Sequence, residues 1–473
     1  MQCLEPESDM DREQLERRRW QNLLSWMEER GFDASDLCVE PQTRNGKGRG
    51  LFVTKNLEPL ENTFLRFPES VLLNSKTLSA LYPTIPLEGF PDCPETGLVL
   101  NGTQLLSIHL ALNCFEGDHD ISRDEHFGPF LSCLPRNFNS HPLKWAIKEK
   151  MGAVDDSERY LLQSLPPSVA RDLRDVAQRF WDDWNVALQC VEEHRDVLFS
   201  GCLKDAFSVD DFKWGWLIVN TRCLYAKLFS SNYPLSNLTL CPLLDFANHT
   251  ASSSVPQLTV EGFTKINHGS SGDSESEDDE PELDEFVVKL PNQLVAKGEE
   301  IFLRYGGHSN RMLFTEYGFV DDSVEPEVDV AELVDELVNR KFAGLTMKDL
   351  MPLDKHHFLS DLRMYAFPLP AQPSWSLLCA LHHFLRSWRA MTNGETELVS
   401  DLNEKAVRRD IQWICETVAA RSAENLHNLQ SKDPREDELD WFRYAKSCIV
   451  KLWEEERRVS RAVEETLRSG YKF

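Results

Sequence analysis

Apolar positions set the rhythm of this chain before any single residue declares a chemistry. Over residues 11–30, Leu15, Trp20, Leu23, Leu24 and Met27 recur at helical spacing, and Gly31 follows as a C-cap. Residues 51–53 and 63–67 are short β-forming runs joined by a turn-like stretch, and read as a hairpin-like pair. From 75 to 235 the period is mainly helical. Residues 105–112 (LLSIHLAL) form a buried segment; a helix over 168–194, with Ser168 as N-cap, carries Val169, Leu173, Val176, Phe180, Trp184 and Leu188. Another over 212–228 carries Trp214, Trp216, Val219 and Leu224, aromatics that belong to a core. Residues 238–246 form an apolar run expected as one buried strand, and strand patterns recur at 257–260, 286–290 and 301–303. Ser309 caps a short helix that ends at Gly318. Helical patterns follow at 332–340, 346–350, 375–388, 404–420 and 439–467, which predicts an all-helical domain from about residue 335.

Length and composition narrow the classes. A chain of 473 residues accommodates two or three domains, and 41% hydrophobic residues with 12 Trp can fill their cores. Lys+Arg total 51 against 78 Asp+Glu, a net charge of −27, which repels nucleic-acid phosphates and favours a basic protein partner. The 12 Cys are scattered without a CxC or CxxC pair, so neither a zinc cluster nor a disulfide framework is expected, and no metal. No segment reaches a transmembrane length, so no membrane partner is expected and the compartment is cytoplasmic or nuclear. Residues 272–285 are low-complexity and acidic; flanked by strand patterns, they read as a disordered loop within a domain, and 1–15 as a disordered N-terminus.

Few residues stand out chemically. Gly46, Gly48 and Gly50 precede a strand, and no helix follows, so neither a dinucleotide fingerprint nor a phosphate loop fits; the glycines instead let backbone approach a ligand. Asn248 and His249 end the apolar run, where polar groups need partners; singly, they read as satisfied structural residues. His249 has no companion at zinc-ligand spacing, and no serine or cysteine sits in a recognisable nucleophile setting. Tyr305, at a strand end before Gly306 and Gly307, can project its hydroxyl into a cavity; Tyr317 precedes Gly318.

Taken in order, GKGRGLFV, TRCL (221–224), LLDFANH, LRYG and EYGF resemble the SET-domain protein methyltransferases, within them the Rubisco large-subunit and ribosomal-lysine methyltransferase group. LLSWMEERGF, FLSCLP and KW extend the resemblance over almost the whole chain. It implies an α+β protein: a SET-type β fold with knot-like threading over 16–334, a large helical insert at about 75–235, an acidic loop at about 268–286, and an all-helical, substrate-binding-like domain over 335–473. It implies S-adenosylmethionine as cofactor, held by the backbone of Gly48, Arg49 and Gly50, by Arg222 at its carboxylate, and by Asn248 and His249 at its adenosine end. Tyr305 would be the catalytic tyrosine, Tyr317 would line the target channel and Asp245 would shape the substrate side. The implied activity is protein-lysine N-methylation by a monomer, on a basic, non-histone protein of the translation machinery. A catalytically inactive scaffold and a histidine acceptor remain open. Two departures from the group's pattern, Ala226 in place of a basic residue and bulky Phe246 before Asn248, bear on the target.

Overall fold

A computed structural model describes residues 9–44, 48–58, 63–90, 97–114, 122, 124–200, 206–230, 232–264, 285–290, 293–341, 357, 359–393, 401–430 and 440–473. The acidic loop, Gly46 and the helix expected at 346–350 lie outside the described residues. The chain divides into two compact units, one of Met1–Phe138 with Gln178–Gly307, the other of Asn139–Ala177 with His308–Phe473.

The first unit opens with a helix, Asp9–Glu28. Gly31, at φ +92°, ends it: the Phe32 N–H donates to the Met27 carbonyl and the Gly31 N–H to that of Glu28, the paired bonds of a Schellman motif. Among the described residues ten short strands then build three small sheets. β1 (Val39–Arg44), β2 (Gly48–Val53), β10 (Glu300–Leu303) and β7 (Asn248–His249) form one in that order. A second holds β3 (Thr63–Pro68), β9 (Glu285–Lys289) and β8 (Thr259–Thr264), and a third β4 (Leu73–Asn74), β6 (Leu238–Leu240) and β5 (Leu224–Tyr225). The hairpin expected between 51–53 and 63–67 does not form. β2 pairs instead with β1 across Gln42–Gly50, and β3 with β9 more than two hundred residues on. A pattern along one strand does not encode which strand lies beside it, and β1, interrupted by Pro41, shows no clean alternation.

The expected strand over 238–246 is also corrected. β6 stops at Leu240, because Pro242 has no N–H to continue a ladder and Leu243 sits at φ +68°, ψ −47°. A 3₁₀ turn, Leu244–Phe246, follows, and Asn248 and His249 form the separate strand β7. The helix expected over 212–228 is Val209–Arg222, so Arg222 lies in its last turn. Ser208 caps its start, accepting from the Asp211 N–H at 3.1 Å. It packs on the helix Gly102–Leu112, itself closed by an Asn101–Gln104 capping box. A Cβ at Gly215 would meet the Ser107 carbonyl at 2.5 Å, so the two backbones approach as only glycine permits. Asp183 pins the pair, accepting from Gln104 Nε2 and Trp216 Nε1 at 2.8 Å each.

The second unit is mostly helical. Pro142–Lys150, Asp156–Gln163, Ala331–Lys341, Trp375–Asn393, Asp401–Gln430 and Asp440–Arg468 are its main helices. Its core joins Leu333 and Leu337, Leu377 and Leu381, Ile411 and Ile414, and Val459 and Val463, pairs at helical spacing that remove one stripe of each helix from water. The region beyond 335 is not all-helical: β12 (Arg363–Tyr365) pairs with β11 (Glu327–Asp329) and with β13 (Gln372–Pro373). Strands of two or three residues leave no periodic signal. Among the described residues no helix is long and apolar enough to cross a membrane.

Helix Asp440–Arg468 brings two acids into this unit's interior. Glu455 accepts from Asn310 Nδ2 at 2.7 Å and from the Glu327 N–H at 3.2 Å; Glu456 accepts from the Ser168 hydroxyl at 3.3 Å. Beside them Arg171 pairs with Asp329 at 2.9 Å, and Arg311 with Asp172 and Asp329 at 2.8 and 3.2 Å. Those cations are already balanced, and burial pushes Glu456 up to about 8 and Glu455 up to about 7. A carboxyl whose folded pKa is raised keeps a proton that the unfolded chain releases. Its contribution is complete below the ordinary carboxylate range and drains as pH rises to about 8. Glu456→Gln, which cannot ionise, should therefore gain stability on the native protein by roughly 3–4 kcal/mol between about pH 5 and pH 8 in urea titrations. A difference that stays flat with pH would show that Glu456 does not hold this proton.

Candidate active site

The sheet β1-β2-β10-β7 assembles most of the sequence-derived residues. β10 pairs antiparallel with β2, Ile301 opposite Leu51, and parallel with β7, Phe302 beside Asn248 and Leu303 beside His249. Residues near 50, 248 and 301 thereby become neighbours. Gly48 takes φ +74°, a conformation glycine adopts freely. At Gly50 a Cβ would collide with Glu300 Oε1 and lie 2.9 Å from Asn248 Nδ2, so this strand offers bare backbone at a crowded point. Asn248 Nδ2 donates to the Arg49 carbonyl at 3.2 Å and to Glu300 Oε1 at 2.7 Å.

Behind this crevice three charges gather. The Arg49 guanidinium lies 4.4 Å from the Phe246 ring centre and donates to the Cys133 carbonyl. Arg222 Nη1 donates to the Asp245 carbonyl and stands 3.8 Å from Asp245 Oδ2, whose side chain is only 1% exposed. Burial pushes the Asp245 carboxyl up, and Arg222 and Arg49 draw it back. Among the described residues neither Asp245 carboxylate oxygen has a hydrogen bond, and the buried Nε–H of Arg222 has none either. Glu16 is a further, weaker anion acting on Arg49, and the Arg222 Nε–H is left over for another acceptor. Asp245 thus lies with the arginines rather than in a setting of its own.

Tyr305 follows β10 directly. Its backbone N–H donates to His249 Nδ1 at 3.0 Å, and its hydroxyl donates to the Ala247 carbonyl at 2.9 Å. The His249 and Tyr305 rings are 5.1 Å apart. His249 is therefore a strut: it fixes the start of the segment that carries the tyrosine, while Ala247 fixes the phenol. Tyr317 belongs to the second unit. It ends a wide π-type turn, Leu313–Tyr317, closed by Gly318 at φ +80°, with ring neighbours His308 and Phe319 at 6.0 and 6.1 Å. Gly318 lies against His141, whose Nε2 hydrogen-bonds the Glu316 carbonyl at 3.0 Å. Burial holds the His141 imidazole down at about 4.

Sequence reasoning did not single out Glu300, Ala247, Cys133 or the backbone of Leu243. Glu300 occupies an exposed-looking position in GEEIF, and the other three act through main chain, which side-chain patterns do not report. Leu243 lies near the rare γ-turn at about +75°, −65°, a strained conformation that turns the chain from β6 toward Asp245. Among the described residues no group of three or more His, Cys, Asp and Glu side chains could hold a metal ion.

No family model matches the chain. It is 30% identical over 266 residues to Ribosomal lysine N-methyltransferase 2 of Saccharomyces cerevisiae, a match spanning 51% of each protein. The chain thus spans about half the length of that relative. It is 26% identical over 474 residues to human SET domain-containing protein 4, covering 94% of this chain and 91% of that one. The crystal structure of the SET domain of LSMT bound to lysine and AdoHcy superposes with a TM-score of 0.58 at 16% identity, covering 96% of this chain and 91% of that one, a likeness of fold.

Asp245→Ala should leave Arg49 and Arg222 facing each other without their counter-charge. Urea unfolding should register a loss of about 3 kcal/mol, the scale of breaking a buried ion pair from one side. A loss below about 1 kcal/mol would show that the pair is worth no more than a surface one.

Proposed function

From a chain related to the SET-domain protein-lysine methyltransferases, we propose an S-adenosylmethionine-dependent protein-lysine N-methyltransferase whose reacting groups meet at Tyr305. The observation that carries this is the set of Tyr305, Asn248, His249 and Gly50 drawn together by β10, with Arg222 brought to Asp245 by the end of its helix. Our reading takes 16–334 as the catalytic body, with knot-like threading, and 335–473 as the part that engages the protein target.

The residues present fit such a cofactor. Gly48 and Gly50 supply backbone without side chains, Asn248 and His249 would hold the adenosine end, and the unspent Arg222 N–H would meet the carboxylate. When bound, the cofactor supplies an activated methyl group on a positive sulfur. The protein's task is to present a neutral amine in line with it. A free lysine, of pKa about 10.4, is neutral in roughly one molecule in a few thousand at pH 7, a penalty of about 4–5 kcal/mol. A narrow, dry channel lowers that pKa by disfavouring the ammonium. The Tyr305 hydroxyl spends its proton on the Ala247 carbonyl, and a donating hydroxyl still accepts. It would therefore orient the amine through an N–H···O bond while the amine's own proton leaves to water. A phenol of pKa about 10 is a poor base at neutral pH, so alignment supplies most of the rate.

The net charge of −27 suits a basic target, and the ribosomal enzyme's name suggests the translation machinery over histones. Isotope-labelled cofactor with a cell lysate, followed by mass spectrometry, would identify the target and separate lysine from histidine. Tyr305→Phe should keep S-adenosylmethionine binding in calorimetry and lower turnover on that target by at least about tenfold. Equal turnover would remove Tyr305 from the chemistry. If the native protein binds no cofactor at millimolar concentration, it is a scaffold and not an enzyme.

A further inference from the structure

His141 ties the turn that carries Tyr317 to a neighbouring helix of the same unit. It precedes Pro142 and caps the helix Pro142–Lys150: the Leu143 N–H donates to His141 Nδ1 at 3.2 Å. Burial keeps the imidazole neutral down to about pH 4, so the ring carries one proton. Nδ1 is spent as an acceptor, which puts that proton on Nε2. Nε2 then donates to the Glu316 carbonyl at 3.0 Å. That carbonyl stands in the last turn of Leu313–Tyr317, where helical carbonyls take donors from outside the helix. The ring also fills the space beside Gly318, where a Cβ would meet His141 Cδ2 at 2.9 Å. A bonded carbonyl before it and a packed glycine after it thus hold the backbone on both sides of Tyr317. Trp145, on the same helix as the cap, lies 6.4 Å from Phe314 at the other end of the turn, and both rings are buried.

A side chain points where its backbone and its rotamer send it, so fixing the residues on either side fixes the direction of the phenol. We propose that His141 is a positioning residue for Tyr317. Given the methyltransferase reading, on which this inference rests, Tyr317 would line the channel of the target lysine, and His141 sets that wall through Glu316 and Gly318 without touching the lysine. Alignment supplies most of the rate in that reading, so a shifted wall costs turnover and leaves the cofactor's affinity intact. The ring neighbours His308 and Phe319 come from the same stretch of chain as Tyr317, whereas His141 reaches it across 175 residues of sequence. No spacing in the chain announces such a brace.

Two substitutions separate the roles of the ring. His141→Asn keeps an acceptor at the Nδ1 position, so the helix cap survives, but its amide falls short of the Glu316 carbonyl. His141→Gln keeps an N–H at the Nε2 position and with it the bond to Glu316. Both lose the packing of the ring on Gly318, so packing alone would lower the two together. The measurement is methyl transfer from isotope-labelled S-adenosylmethionine to the basic protein fraction of a cell lysate, with calorimetry of S-adenosylmethionine binding alongside. His141→Asn should lower the initial rate by about tenfold, while His141→Gln stays within about threefold of the native protein. The cofactor Kd should stay within about twofold in both. An unchanged rate in His141→Asn overturns the proposal, as do equal losses in the two variants or a cofactor Kd weakened as much as the rate. A His141→Asn protein that fails to fold with its cap retained makes the ring structural and overturns it too. Should His141→Gln fail to fold, the rate and Kd of His141→Asn decide. A native protein that labels nothing refutes the methyltransferase reading itself, before any substitution is made.

Discussion

Strand β10 is four residues long and paired along both edges, antiparallel to β2 and parallel to β7. Parallel pairing cannot be reached by a tight turn. The chain between β7 and β10 therefore leaves, builds β8 and β9 in another sheet, and returns. That detour sets Asn248 beside Phe302 and His249 beside Leu303, and it starts Tyr305 where the His249 ring can accept its N–H. Without β10 the glycine strand, the Asn–His pair and the tyrosine would be three unrelated segments.

The charges depend on a different support. Arg222 reaches Asp245 because its helix ends at residue 222 and because β5 and β6 pair just beyond, with the Ala226 N–H donating to the Asn237 carbonyl at 2.8 Å. Ala226, where a basic residue was the expected pattern, is buried and has a backbone role in this turn. Phe246, bulky before Asn248, is likewise occupied: Arg49 lies over its face and Trp20 meets its edge, rings 5.8 Å apart. Both departures thus have local explanations in packing.

The helices are largely legible because an amphipathic period of three to four residues survives in the sequence, as in Asp440–Arg468. The small strands were legible as runs but not as partners. Residues 51–53 and 63–67 look like a hairpin, yet the first pairs with β1 just before it and with β10 far along the chain, and the second with β9. The run 238–246 looks continuous until Pro242 and the left-handed Leu243 break it. Site residues were visible only where a side chain acts. The carbonyls of Ala247, Cys133 and Arg49 do as much positioning, and any residue type can supply a carbonyl.

The close helix crossing at Gly215 has a mechanical side. Arg222 lies seven residues further on, about 10 Å along the helix axis. A side chain at 215 would meet the Ser107 carbonyl and Leu110, which are backbone and core and give little. The helix would pivot there, and the guanidinium at its far end would sweep a longer arc than the fulcrum. Position 215 is thus a lever, by which a residue far from Arg222 can shift that guanidinium against Asp245.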